Sequence, residues 1–231
     1  TDAAGNASNT LTLTSFTIET TAPSAFTVGA VTATGNTVTA NYLNSTNTGV
    51  SVTVPIANDA TLVNGTIQLR MKVGDNAYAD IGSAATITAA NADQAVTITD
   101  DNVEAAANYA EGGVLTFTAI LTDTAGNTTT GTASSTTLTV DQTDPVISEE
   151  TVISTPGNDQ TPSVVITTNE AGTITSSKTF TTSSSASSGN NTITFDTLAA
   201  GTYGNVTVVV TDAAGNASNT LTLTSFTIDT S

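Results

Sequence analysis

Residues 1–20, TDAAGNASNTLTLTSFTIET, return at residues 211–230 as TDAAGNASNTLTLTSFTIDT, with Glu19 against Asp229 the single difference. The offset, 211 minus 1, is 210 residues, so the chain covers one period of a tandem array and begins a second. A chain with such a period folds as units that recur along its length. Residues 1–20 read as the final strand of a preceding, truncated repeat. Glu19 and Asp229 keep a carboxylate at the same point of the period.

The units read as β-structure. Apolar residues alternate with polar ones at Val50–Val54, Thr66–Val73, Ala95–Ile98, Val114–Leu121, Val164–Ile166 and Val206–Val210, and helical spacing is nearly absent. Gly, Asn, Asp and Pro punctuate these runs at the spacing of β-sandwich turns. Asp101–Tyr109 departs from the pattern: it is Ala-rich and predicts a helical turn or two in a strand-to-strand crossover. Hydrophobic residues make up 38% and aromatic residues 4%, enough for small cores built from strands with one wetted face.

Two phrases align inside the period. Leu121-Thr-Asp-Thr-Ala-Gly-Asn127 matches Val210-Thr-Asp-Ala-Ala-Gly-Asn216, and each follows an apolar strand and precedes a Thr-rich one. Each also has an approach segment, Tyr109–Gly113 or Leu198–Tyr203. The expected division is a longer domain over 21–143 and a shorter one over 144–231. Their joints, Ile18-Glu-Thr-Thr-Ala-Pro23 and Val140-Asp-Gln-Thr-Asp-Pro145, are short and stiffened by proline.

Composition removes several function classes. Cys and His are both absent, which excludes disulfides, thiol chemistry, imidazole catalysis and zinc sites of the usual kind. No nucleophile–base constellation is recognisable, so an enzyme is not expected. Twenty acidic residues against Arg70, Lys72 and Lys178 give a formal charge of −17. Such a surface repels nucleic acid and anionic membranes, and it opposes compaction unless counter-ions bind. No apolar run approaches membrane-spanning length and no signal segment is present, as expected of a window on a longer secreted protein.

The order of apolar strand, Asp-x-Ala-Gly-Asn, Thr-rich strand and Asp/Glu-x-Thr-x-Pro resembles the bacterial immunoglobulin-like repeats of giant cell-surface adhesins. The similarity is to those exported through type I secretion with RTX-type C-termini. It covers both domains, and Leu198…Tyr203 looks like a tyrosine-corner approach to the penultimate strand. The longer domain departs from the simplest pattern around residues 74–92 and at the Ala-rich crossover. The resemblance implies an all-β chain of tandem immunoglobulin-like β-sandwich (Greek-key) domains arranged end to end at the cell surface. It also implies an extender with Ca2+ at the domain joints. Its partners would be neighbouring repeats of the same chain, and any surface ligand would be reached through distal domains outside this chain.

In a sandwich of this kind the chain enters at one pole and leaves at the other. The loop between the last two strands then lies at the upstream pole, which turns Asp123 and Asn127 toward the preceding joint that holds Glu19, and Asp212 and Asn216 toward Asp141-Gln-Thr-Asp144. The loop after the second strand brings Asp59 or Glu170 to the same pole. Asp100 and Asp101 end a strand at the opposite pole of the longer domain. With the terminal copies Asp2, Asn6 and Asp229, these residues form the expected set of metal ligands. Carboxylates gathered without basic neighbours repel, and a hard cation resolves this. Ca2+ takes about six to eight oxygens at roughly 2.3–2.6 Å, Asn and backbone carbonyls included. The same loop is also sound turn chemistry by itself, since Asp caps a type I turn and Gly accepts positive φ. The spacing of an EF-hand is absent.

Other signals are read as structural. Gly112-Gly113 lacks a phosphate-loop context and serves a turn. Asp75, Asp80 and Asp93 are expected as solvated loop acids, and Glu149-Glu150 as a solvated strand end. Tyr42, Tyr78, Tyr109 and Tyr203 are too scattered for the aromatic platform of a glycan- or protein-binding module. A further alternative is a self-assembling extracellular filament in which Ala217–Ile228 of one chain completes a neighbouring subunit.

Overall fold

The computed structural model describes residues 1–231. It is an all-β chain in several sheets, and its buried apolar side chains fall into two clusters with no member in common. The first cluster draws 24 side chains from Val28 to Val140, and the second draws 14 from Ile153 to Ile228.

The strands around the first cluster are β1 (Val31–Gly35), β2 (Tyr42–Leu43), β3 (Asn47–Ile56), β4 (Thr66–Val73), β5 (Ala79–Asp80), β6 (Ala85–Thr86) and β7 (Ala92–Thr99), then α1 (Asp100–Glu104), β8 (Val114–Thr122), β9 (Thr128–Thr130) and β10 (Leu138–Val140). One sheet runs β1-β3-β7; the other runs β2-β10-β8-β4-β5, with β6 on β4 and β9 on β8. Alternation decides their faces. Val50, Val52, Val54 and Ile56 of β3 are buried, as are Ile67, Leu69, Met71 and Val73 of β4, and residues from both sheets share one cluster. Pro55 lies past the last β1 partner of β3, Val52, where no ladder from that side needs its missing N–H. The expected helical turn is α1, and the extra sequence of residues 74–92 supplies the short edge strands β5 and β6.

Around the second cluster lie β11 (Ile147–Thr151), β12 (Ser163–Thr168), β13 (Gly172–Ser176), β14 (Ser185–Ala186), β15 (Gly189–Thr194), β16 (Gly201–Tyr203), β17 (Thr207–Thr211), β18 (Leu221–Thr222) and β19 (Phe226–Ile228). They pair as β11-β12-β15, β14-β13-β17-β18 and β16-β19. Phe226 sits 6.5 Å from Phe195 and 5.2 Å from Tyr203, centroid to centroid, and both pairs are stacked. The Tyr203 hydroxyl donates to Ala199 O at 2.9 Å.

Residues 1–20 repeat residues 211–230 at every position but Glu19 yet form no strand. Leu223, Phe226 and Ile228 are buried, whereas their counterparts Leu13, Phe16 and Ile18 are each at least 77% exposed. A strand exists by pairing with an edge, and residues 7–18 meet none. The Glu149-Glu150 expectation changes as well. Glu149 is half-buried, and its Oε2 accepts from Thr224 N at 2.9 Å and Thr224 Oγ1 at 2.7 Å, tying β11 to the β18–β19 link.

Candidate metal centre between the two cores

The loop Asp-x-x-Gly-Asn is built locally, and the same way three times. Asp123 N donates to Asn127 O at 3.0 Å, while Asp123 Oδ1 accepts from Ala125 N and Asn127 N. Asp212 and Asn216 repeat the exchange, with Oδ1 accepting from Gly215 N and Asn216 N. Asp2 and Asn6 repeat it again in the exposed, unpaired segment. In each copy the Asn Nδ2 also donates to the other Asp oxygen, at 2.9, 2.9 and 2.8 Å for Asn6, Asn127 and Asn216. The glycines take φ of +88°, +96° and +95°, as the turn requires. Because the copy at residues 2–6 forms without a sheet behind it, these bonds belong to the sequence of the loop.

Tertiary structure then aims each loop. Asn127 Nδ2 reaches Glu19 Oε2 at 2.8 Å, and Asn216 Nδ2 reaches Asp141 O at 2.9 Å and Oδ1 at 3.3 Å. Both asparagines therefore point the amide N–H2 at two carboxylates. The Oδ1 of Asn216 accepts from Ser45 N at 2.9 Å.

The receiving surface is the segment between β1 and β3. The parallel pairing of β2 with β10 sets Leu43 beside Val140, and Asp141 N donates to Leu43 O at 2.9 Å. The next residues, Asn44 and Ser45, consequently stand against the loop of the second core. Asn44 is fully buried and fully used: Nδ2 donates to Ala214 O at 2.8 Å and Thr37 O at 2.9 Å, and Oδ1 accepts from Thr46 N and Oγ1. Ser45 Oγ donates to Asp144 Oδ1 at 3.1 Å.

Beside this contact, Asp141, Glu170 and Asp212 each offer a carboxylate oxygen, all within 4.8 Å of one another. Asp141 directly follows β10, the β12–β13 turn carries Glu170 and β17 runs into Asp212. Glu111 adjoins from the β8 approach, holding Gln142 N at 3.1 Å on both oxygens. A cleft of about 480 Å³ lies over Glu111, Asp141, Thr143 and Glu170. Burial, then Asp212, Glu111 and Glu170, push the Asp141 carboxyl up to about 6. Asp123 goes the other way, held down to about 2 chiefly by the Asn127 side-chain amide.

Several expected ligands stand elsewhere. Asp59 caps the turn Ala60–Leu62, accepting from Thr61 N at 2.9 Å and Thr61 Oγ1 at 2.7 Å. Asp100 lies in α1 with one buried, unpartnered oxygen, and its carboxyl is pushed up by burial, then by Glu104 and Asp101. Asp101 is exposed on the first turn of α1. Asp229 accepts from Ser231 N and Oγ. Asp2 and Asn6 bond only within their own loop.

Sequence reading missed Glu111, Asn44 and Ser45. The Glu-Gly-Gly turn offered a signal for Glu111; nothing local marked the other two. None of the three cations pairs with these carboxylates. Arg70 pairs with Asp80 at 3.0 Å; the Asp80 side chain is 63% exposed, as expected of a solvated acid, but has a partner, and Lys72 and Lys178 lie over the rings of Tyr78 and Tyr203. Comparison with protein-family models and with curated proteins returned no match.

Proposed function

We propose that the chain is a structural extender repeat of a long bacterial surface adhesin. In this reading it is built of tandem immunoglobulin-like Greek-key sandwiches end to end, stiffened by Ca2+ at their joint. The observation that carries this reading is the meeting of Asp141, Glu170 and Asp212 with no cationic side chain to neutralise them. The donor set fits a hard divalent cation: three carboxylates at one seam, supplied by three elements on both sides of the joint. An ion there would turn mutual repulsion into cross-linking, and the hinge would lose its freedom. The Asn44–Ala214 and Ser45–Asn216 bonds support the same reading, because they dock the loop before any ion arrives. The bond from Tyr203 to Ala199 suits an immunoglobulin-like corner.

The test is calorimetry and small-angle scattering in calcium and in chelator. Calcium is expected to raise the melting temperature and narrow the spread of inter-core distances. Superimposable melting and scattering curves in the two conditions would overturn the ionic joint.

One observation favours a second reading, the strand-exchange filament: Leu11, Leu13, Phe16 and Ile18 are exposed in a segment whose copy is a core component. Concentration-dependent growth in sedimentation, abolished by deleting residues 1–20, would establish that reading in place of the first.

A further inference from the structure

The two joints of the period can be compared position by position, because strand register aligns them. Thr66 faces Thr122 as Thr173 faces Thr211, so Gly65 corresponds to Gly172. Counting two residues back, the place of Glu170 is held by Val63 ahead of the first core. The longer loop there supplies Asp59, but its carboxylate is engaged by Thr61.

The partner side aligns as well. Gly201 faces Ile228, and Val140 N donates to Gly113 O, so Gly201 corresponds to Gly113 and Glu111 corresponds to Ala199. Asp229 N donates to Gly157 O as Asp141 N donates to Leu43 O, which puts Asn158 and Asp159 in the places of Asn44 and Ser45. Asp144 corresponds to Ala22, each preceding the joint proline.

The joint between the cores therefore gathers Glu111, Asp141, Glu170 and Asp212. At the other joint, those four places are held by Ala199, Glu19 or Asp229, Val63 and Asp123. Two carboxylates remain, and Asn127 Nδ2 bridges them at 2.8 Å and 2.9 Å. Asp159 is new at that joint, but its Oδ1 caps Thr161 at 2.8 Å. Two acceptors bridged by one N–H2 group need no metal, whereas four crowded acceptors leave charge to be neutralised.

We infer that the two joints of a period respond differently to divalent cations. The joint ahead of Pro145 closes on an ion through Glu170 and Glu111, and the joint ahead of Pro23 closes on the Asn127 amide without one. The inference rests on the cation reading of the Asp141–Glu170–Asp212 cluster. A fibre built this way would alternate calcium-sensitive and calcium-insensitive joints along its length, so withdrawing calcium would loosen every second joint and leave the others closed.

The experiment is a calcium titration of the full 15N-labelled chain, read at the amides of Gly215 and Asn216 for one joint and of Gly126 and Asn127 for the other. Saturable shifts at Gly215 and Asn216, with Gly126 and Asn127 unmoved, are expected. Shifts that saturate together at both joints overturn the inequality and leave the cation reading standing. No saturable shift at Gly215 overturns the cation reading itself. A second arm gives the first joint the residues of the other, as Glu111→Ala with Glu170→Val. It is expected to weaken calcium binding about tenfold or more, since ligand charge sets affinity. The amides of Ile174 and Val208 report whether the second core is intact. Wild-type affinity in a folded double variant would overturn the assignment of the difference to these two positions.

Discussion

At the residue scale, Asp141 carries the chemistry of the joint. Its carboxyl sits at about 6 in the folded chain against an ordinary value of 3.8, so the native state holds that proton more tightly than the unfolded one. The resulting stability is complete below about 3.8 and is lost as the pH rises through about 6. In chelator, the protein is expected to melt higher at pH 5 than at pH 7.5. Asp141→Asn should flatten this slope; Asp100, also pushed up by burial, acts with the same sign. Asp123 has the opposite sign, with stability present above 3.8 and lost as the pH falls through about 2, so it adds nothing to that window. Saturating calcium should reverse the trend, because protons then compete with the ion for the carboxylates. Calorimetry across pH, with and without calcium, checks all three statements.

At the element scale, the Asp-x-x-Gly-Asn loop separates what is local from what is not. The Asp cap and the positive φ at Gly were legible in the sequence, because bonds that span four residues or fewer are set locally and recur in the bare copy at residues 2–6. Its docking was not. A Cβ on Gly215 would stand 2.7 Å from Thr39 Oγ1 and 3.0 Å from Thr37 Cγ2, whereas one on Gly5 would meet nothing within 4 Å. Both glycines have positive φ. Gly215→Ala is therefore expected to cost more than about 1 kcal/mol and to loosen the contact between the cores. Gly5→Ala should leave melting unchanged, since that loop supports no core. Chemical denaturation and scattering of the two variants make the comparison. Loop length also explains Asp59, which the sequence placed beside Glu170 in role. The longer link after β3 folds its own short turn, and Asp59 caps it.

At the scale of the whole molecule, the two cores share no side chain, and polar bonds around Asn44, Ser45 and Asn216 join them. Their melting should accordingly separate. Phe226→Ala removes a ring packed on Phe195 and Tyr203, and it is expected to cost about 3–5 kcal/mol in the second core while the transition of the first stays in place. Phe117→Ala, fully buried in β8, should do the reverse. Two calorimetric transitions that shift one at a time would bear this out; a single transition that moves with either variant would not.

The sequence by itself determined the period, the β character of the alternating runs and the hydrogen-bonded form of the Asp-x-x-Gly-Asn loop. Each of these depends on residues close in the chain, where side-chain alternation and short-range hydrogen bonds act. Only the tertiary structure decided which carboxylates meet. Glu111 is set beside Asp141 by the β8–β10 pairing, and Glu170 beside Asp212 by the register of β13 on β17, contacts that join distant parts of the chain. That is why residues 1–20, with the sequence of a core strand pair, keep the loop and lose the strands. A turn closes on itself, but a strand needs an edge from elsewhere.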